Sequence, residues 1–439
     1  MISSEYKSLA KEVMQFALDK GADNVRISIY SGSSSMFEYR DKNLDKLQQA
    51  SEHRMEIELF VDNRYGSYST NRMDKTCLLK FVSSAIESTR CLDKDPMWAL
   101  PDASRYYKGA MFTLDTYDEM FDKINVDVKL AIAQRTVGEI YGIDPKIISI
   151  TAEYSDNDSF LYMISSNGFE GETAHSKYLL YSNVAMKDLD DARPSASWIE
   201  TALHFDSLVK DNVGKKAYER TVQKLGQSKT DSGKYLMLLD NTLSACLLSP
   251  LLAAMNGFAL HQKNSFLINK LNEKIISDKL TITDEPHIKG AFGAKMFDSE
   301  GVATVKRTLI EQGVLKTYFI NTYSAAKLKM EPTVSSFSVV NFDLGTRSHC
   351  QMIASIDKGI WVTGFNGGNS NSATGDFSFG VEGFLIEKGK PVKPVSEMNI
   401  TGNLLKLWNN ILEIGNDPKT DSPLRVPSLL FKDVDFSGT

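Results

Sequence analysis

Two hydrophobic periods alternate along this chain, one helical and one extended. Leu9, Val13, Phe16 and Ala17 recur at helical spacing after a Ser-rich start, and Lys20-Gly21 supplies a basic last turn and a stop. The chain therefore opens with an amphipathic helix. Val25, Ile27 and Ile29 then alternate with Arg26, Ser28 and Tyr30, which predicts a strand; a turn is expected at Ser31 to Ser35 before extended patterning resumes. Met55, Ile57, Leu59 and Val61 repeat the alternation, and Leu78, Leu79, Val82, Ala85 and Ile86 line one face of a second helix over Asp74 to Arg90.

Pro96 and Pro101 punctuate a linker, and beyond it a helical pattern through Val137 to Tyr141 leads into extended runs. Phe160, Tyr162 and Ile164 followed by Ser166-Asn167-Gly168 read as one arm of a hairpin. From Lys234 onward the texture changes to short strands between Gly, Asn and Asp turns, with few helical segments. The pattern predicts an α+β protein: an N-terminal α/β region of sheets with helices, in units 1–105 and 106–225, then a β-rich C-terminal domain over 226–439, with the main boundary near Leu225.

The length, 439 residues, exceeds what one hydrophobic core usually serves, which supports that division. With 50 basic against 56 acidic residues the chain carries a net charge of −6, and no stretch gathers Lys and Arg into a phosphate-neutralising stripe, so nucleic acid is not an expected partner. Cys77, Cys91, Cys246 and Cys350 are widely separated and show no CxxC spacing, which fits reduced thiols in a cytoplasm. Neither a signal peptide nor an apolar run of the roughly 20 residues that a membrane helix needs is readable.

Catalytic motifs are mostly lacking. A metallopeptidase helix carries two His to hold the metal and a Glu to activate its water. None of His53, His175, His204, His261, His287 and His349 is followed by Glu, and no two lie within a helical turn or two of one another. The nucleophile elbow GxSxG, the GxxxxGK[ST] phosphate loop and GxGxxG are all absent. Cys350 follows His349 directly, but neighbours in sequence rarely form a catalytic pair, and a buried thiol is the simpler reading.

Three further stretches have both a binding and a structural reading. Gly364 to Gly375, centred on Asn366-Gly367-Gly368-Asn369, is a candidate binding loop or a connection into the alternating strand Phe377, Phe379, Val381. Asp298 and Glu300, in Phe297-Asp298-Ser299-Glu300-Gly301, are a candidate acid–base pair or a turn, and the turn is favoured. Ile414-Gly415-Asn416-Asp417-Pro418 reads as a helix stop and turn.

Taken in order, these stretches resemble the PmbA (TldE) branch of the TldD/PmbA family. The matching segments are Phe297 to Val302, Leu309-Ile310-Glu311-Gln312-Gly313-Val314-Leu315, Asn321-Thr322-Tyr323-Ser324-Ala325, Thr374-Gly375-Asp376-Phe377-Ser378-Phe379-Gly380-Val381-Glu382-Gly383, Gly402-Asn403 and Ile414-Gly415-Asn416-Asp417. The resemblance spans essentially the whole chain and is firmest from about Leu236 to the end. It implies the same α/β and β-rich layout.

The resemblance also implies a division of labour. Catalytic TldD-type members carry an HExxxH helix and a further ligand late in the chain, and cut peptides with a PmbA-type partner that lacks those ligands. Here the matching segment is Leu248-Ser249-Pro250-Leu251-Leu252-Ala253, where Leu248, Ser249 and Ala253 stand at the metal-motif positions. None is a zinc ligand of the family's kind. Pro250 is expected to start a helix with Ser249 as N-cap. The late Cys of catalytic members is missing too, since Pro418 to Pro427 contains no Cys or His.

The sequence thus leads to a non-catalytic subunit of a TldD/TldE-type metallopeptidase complex, binding or enclosing extended peptide substrates for proteolysis or peptide maturation. No residue is assigned a catalytic, cofactor or metal role. Zinc is expected in the TldD-type partner, this chain alone is a possible homodimer, and a C-terminal strand edge is the expected peptide-holding element. Two alternatives stand beside it: a peptide hydrolase in its own right using His261, His287 or Cys350, and a gyrase-modulator-type regulator, a name attached to relatives.

Overall fold

The structure is a computed structural model, and it describes residues 1–109 and 114–438. Helix α1 (Ser4–Asp19) is followed by strands β1 (Asn24–Arg40), β2 (Asn43–Val61) and β3 (Arg64–Thr70), then by α2 (Lys75–Arg90). Next come α3 (Val126–Gly138), β4 (Ile147–Ser165), β5 (Glu170–Met186), β6 (Ser195–Ala202) and α4 (Val213–Val222). The C-terminal half begins with β7 (Gly233–Leu239), α5 (Asn241–Ala254), α6 (Gly257–His261), β8 (Ile282–Asp284), β9 (Arg307–Glu311) and β10 (Val314–Leu315). It continues through α7 (Thr322–Leu328), β11 (Val340–Phe342), α8 (His349–Ala354), β12 (Lys358–Ser370), β13 (Asp376–Glu387) and β14 (Lys390–Asn403). It ends with α9 (Leu404–Asn409), β15 (Ile411–Ile414), β16 (Leu424–Arg425) and β17 (Leu429–Gly438). The protein is α+β with a β-rich C-terminal part, as its patterning predicts.

Local rules explain the opening elements. Ser3 caps α1 by accepting the Tyr6 N–H, and Leu9, Ala10, Val13 and Ala17 form its buried stripe. Asp74 caps α2 in the same way through Cys77 N–H, and Leu78, Val82, Ala85 and Ile86 face inward. Both helices share one core with Val25, Ile27 and Ile29 of β1 and Met55, Ile57, Leu59 and Val61 of β2.

The expected turn at Ser31 to Ser35 is instead the middle of β1, which continues to Arg40 and pairs with β2 throughout. Serine favours turns only where the backbone lacks better partners, and here both neighbouring strands supply a ladder. β1 also pairs with β4, so residues 1–105 and 106–225 build one antiparallel sheet in the order β3-β2-β1-β4-β5-β6. The predicted hairpin at Ser166-Asn167-Gly168 connects β4 to β5.

The C-terminal part holds two sheets, a five-stranded one ordered β10-β9-β8-β11-β16 and a six-stranded one ordered β14-β13-β12-β7-β17-β15. In the latter β14 also pairs with β17, so the sheet curls toward closure. The largest hydrophobic core includes side chains from both sheets and from α5. That region is more helical than the sequence suggests, because α5 is apolar on nearly every side and shows little amphipathic contrast.

The Pro96–Pro101 linker is docked. Trp98 stacks between Tyr65 of β3 and Tyr323 of α7, with ring centroids 3.9 and 3.8 Å away. Asp95 holds the Tyr323 hydroxyl at 2.9 Å and the Lys327 ammonium at 2.8 Å.

Candidate functional site

Helix α5 carries Leu248, Ser249 and Ala253, the residues that the resemblance sets against the family's metal motif. Asp240, at the end of β7, starts it by accepting the Thr242 N–H and hydroxyl at 3.0 and 2.6 Å. Ser249 is therefore not the N-cap, and Pro250 lies inside the helix. The upstream cap and the burial of Leu247, Leu248, Leu251 and Leu252 outweigh the local signal that Ser-Pro gives for a helix start. Pro250 has no N–H for the Cys246 carbonyl, and the Ser249 hydroxyl donates back to the Ala245 carbonyl at 2.8 Å.

Leu248 is fully buried, whereas Ser249 and Ala253 lie on the exposed face beside Cys246. This face of small side chains offers one thiol and one hydroxyl and no imidazole or carboxylate, so it does not fit a zinc site of the family's kind. No group of three or more His, Cys, Asp or Glu suited to a metal occurs among the described residues.

Just beyond α5, Ala253, Asn256, Phe258, Ala259, Gln262 and Asn264 line an open depression of about 360 Å³. Asn256 caps α6 through the Phe258 N–H at 2.9 Å, which fixes the exposed Phe258 ring at the rim. Asn264 accepts the Ser372 hydroxyl at 2.8 Å, tying the rim to the β12–β13 connection. The depression thus combines an aromatic surface with three carboxamide side chains.

An aromatic column runs from this rim into the N-terminal sheet: Phe258, His261, Tyr323, Trp98 and Tyr65 in sequence of contact. At its far end the Tyr65 hydroxyl donates to Glu58 at 2.6 Å, and Glu58 pairs with Arg26. Burial, then the Glu58 charge, pushes the Tyr65 phenol well above its usual range. Burial pushes the Asp95 carboxyl up, but hydrogen bonds from Lys327, Met97 N–H and Tyr323 outweigh it and hold the group below its usual value.

The other candidates are dispersed. His261 lies between Phe258 and Tyr323 with Nε2 buried and without a hydrogen-bond partner among the described residues. His287 reaches Thr304 at 3.2 Å. Cys350 is exposed, which corrects the expectation of a buried thiol: it lies on the outer side of the short helix α8, while Met352 takes the inner one. His349 Nδ1 meets the Ser428 hydroxyl at 3.0 Å, and that hydroxyl donates to Asp417 at 2.7 Å. The serine lies between acid and imidazole, the reverse of a nucleophile triad's order, and Ser428 is fully buried.

The glycine-rich and acidic stretches each make structural contacts. Asn366 to Asn369 lie within β12, where the ladder shifts register between Phe365 and Gly368. The connection that follows is held by Asp376, which accepts the Thr374 hydroxyl at 2.7 Å and the Asn403 amide at 3.0 Å. Asp298 closes its turn by accepting Glu300 and Val302 N–H at 2.9 and 3.0 Å. Glu300 accepts the Thr322 N–H at 2.9 Å, and burial raises its carboxyl. Ile414 ends strand β15 by pairing with Leu429 of β17, so Gly415 to Pro418 follow a strand rather than a helix.

Two family profiles match the chain: the PmbA/TldA metallopeptidase central domain over residues 119–225 and the C-terminal domain over residues 232–438. The chain belongs to the PmbA/TldD family. Metalloprotease PmbA of Escherichia coli O157:H7 is 25% identical over 98% of this chain and 97% of its own. The Metalloprotease PmbA homolog of Buchnera aphidicola from Acyrthosiphon pisum is 28% identical over 85% of this chain and 84% of its own. A crystal structure of a candidate modulator of DNA gyrase from Bacteroides thetaiotaomicron is 50% identical and superposes with a TM-score of 0.98 over 100% of both chains. TldE from Thermococcus kodakarensis shares the fold, at 19% identity and a TM-score of 0.86, over 98% of this chain and 100% of its own.

Sequence reasoning missed Asn256, Phe258 and Gln262 and the role of Trp98. The Asn256-Gly257 pair signals a helix start, but nothing in one dimension shows that α6 packs against α7.

Proposed function

We propose that this chain is a metal-free PmbA/TldE-like subunit that works with a TldD-type metallopeptidase and helps to bind or enclose extended peptide for proteolysis or peptide maturation. The observation that supports this reading is the exposed face of α5, which presents Cys246, Ser249 and Ala253 and turns Leu248 into the core; the resemblance sets Leu248, Ser249 and Ala253 against the family's metal motif. A helix so furnished cannot activate water through zinc, so a catalytic metal belongs to another chain in this reading. The adjoining depression suits peptide: Asn256, Gln262 and Asn264 offer donors and acceptors to a backbone, and Phe258 offers an apolar contact.

The test uses the chain purified from its own cell with bound partners retained, and the same chain purified alone. Zinc content and cleavage of unstructured peptides are measured for both. Metal and cleavage are expected only when a subunit bearing HExxxH is present. Stoichiometric zinc or chelator-sensitive cleavage in the isolated chain overturns the proposal and returns the hydrolase reading.

A further inference from the structure

We propose that the depression beside α5 is a specificity subsite for one aromatic side chain of an uncharged, extended peptide segment, with Phe258 as the residue that sets the preference. The inference deepens the reading above, and it rests on that reading for the role of the bound peptide.

Shape limits the occupant first. The depression of about 360 Å³ is open to solvent and lies at the low end of the roughly 300–1,000 Å³ usual for ligand sites. A free small molecule held there would keep much of its surface in water. A side chain and the peptide unit that carries it can fill the same space, because the rest of the chain continues over the rim. Ala253 and Ala259 contribute only methyl groups to the lining.

Ring geometry favours an aromatic side chain. Phe258 is 56% exposed although it is large and apolar, and it belongs to the lining. His261 meets its ring at 85° with centroids 4.8 Å apart, and His261 in turn meets Tyr323 at 81° and 5.6 Å. The Phe258 ring is thus propped by a row of rings that runs into the protein, and its remaining surface is left to solvent. The backbone beneath it is fixed too: Asn256 caps α6, and the Gly257 N–H donates to the Phe319 carbonyl at 2.7 Å. A Cβ at Gly257 would stand 2.8 Å from that of Ser324, so this close approach to α7 needs glycine. A second ring stacked on Phe258, or set edge-on to it, gains quadrupole attraction beyond the area it buries, which an aliphatic side chain does not.

Polar groups select an uncharged segment and its carbonyls. None of the six lining side chains is charged, so a carboxylate or ammonium entering the depression would lose hydration without a counter-ion. Asn256 Oδ1 is committed to the Phe258 N–H at 2.9 Å and Asn264 Oδ1 to the Ser372 hydroxyl at 2.8 Å. Their amide N–H groups are left without a hydrogen-bond partner among the described residues, as is the whole Gln262 carboxamide. Free donors therefore outnumber free acceptors, and a peptide carbonyl is the neutral acceptor that meets them.

The experiment uses the isolated full chain and labelled peptides of Gly, Ser and Thr with Phe, Leu, Asp or Lys at the centre, and reads binding by fluorescence anisotropy. The Phe peptide is expected to bind at micromolar concentration, about tenfold tighter than the Asp and Lys peptides, with Leu between. Phe258→Ala should remove the gap between Phe and Leu at an unchanged melting temperature, and Phe258→Trp should keep it. Asn256→Ser, which preserves the cap, should weaken the Phe and Leu peptides by a similar factor. Equal affinity for the Phe and Leu peptides overturns the proposal, as does a Phe preference that survives Phe258→Ala. Lack of any binding overturns it too, but leaves the partner reading to the zinc and cleavage measurements. If those place metal and cleavage in the isolated chain, the partner reading fails, while a Phe preference lost in Phe258→Ala still stands.

Discussion

At the scale of single residues, the structure spends its polar groups on holding long strands together. Lys129 and Asp156 form an ion pair at 2.6 Å with side-chain exposures of 8% and 1%, and Asp156 also accepts the hydroxyls of Tyr154, at 2.8 Å, and Ser35. Two hydroxyls and an ammonium leave the carboxylate well satisfied, so its removal strands a buried cation. Asp156→Asn is expected to destabilise the chain by about 3–5 kcal/mol, read as a lower urea midpoint at unchanged m value. The sequence showed Asp156 only as one polar position in an extended run, because its partner lies on a helix closed against that strand.

His349 makes a second residue-scale case. Burial lowers its pKa, partly offset by the charges of Asp240 and Asp417. The unfolded chain then binds more protons than the folded one between the lowered value and the ordinary histidine value near 6.5. Stability contributed by this group is therefore present above that ordinary value and is lost as pH falls through the interval. His175 is lowered by burial in the same direction, so the slope is shared. His349→Gln should flatten, without abolishing, the fall in urea midpoint between about pH 7 and pH 5, whereas an unchanged profile would remove His349 from the account.

At the scale of elements, α1, α2 and the hairpin at Ser166-Asn167-Gly168 were legible because each is an amphipathic period bounded by a cap or a turn. Helix α5 was not. Its apolar residues surround it, and Ser249-Pro250 imitates a start that the true cap at Asp240 overrides. The imitation has an energetic trace, since a proline inside a helix costs up to about 3 kcal/mol relative to alanine. Pro250→Ala should stabilise the chain by about 1–3 kcal/mol, read as a higher urea midpoint at unchanged m value, because the Cys246 carbonyl gains an N–H. It should restore neither zinc binding nor cleavage, since the exposed face of α5 remains without imidazole or carboxylate.

At the scale of the whole molecule, the linker joins the N-terminal sheet to the C-terminal part. Trp98 is held by Tyr65 on one face and Tyr323 on the other, and Asp95 anchors the same α7 through Tyr323 and Lys327. Beyond it, Tyr106 bridges to Val302, and the Arg105 carbonyl accepts the Ala303 N–H at 3.0 Å. Trp98→Ala is expected to cost about 3 kcal/mol or more and to split one thermal transition into two, read by calorimetry. A single transition at unchanged temperature would mean that the stack contributes nothing to the coupling.

From the sequence alone came the class of fold, the two opening helices, and the family through its ordered turn motifs. These are local properties: a period, a cap or a turn motif belongs to a few neighbouring residues. Tertiary structure alone decided that residues on both sides of the linker share one sheet, that Trp98 is a clasp, and that α6 sets carboxamides and Phe258 beside α5. Among the described residues it also gives β2 no strand partner besides β1 over residues 44–54. Pairing between β1 and β4, or a strand's lack of a neighbour, depends on segments far apart in the chain, and no local pattern records which of them meet.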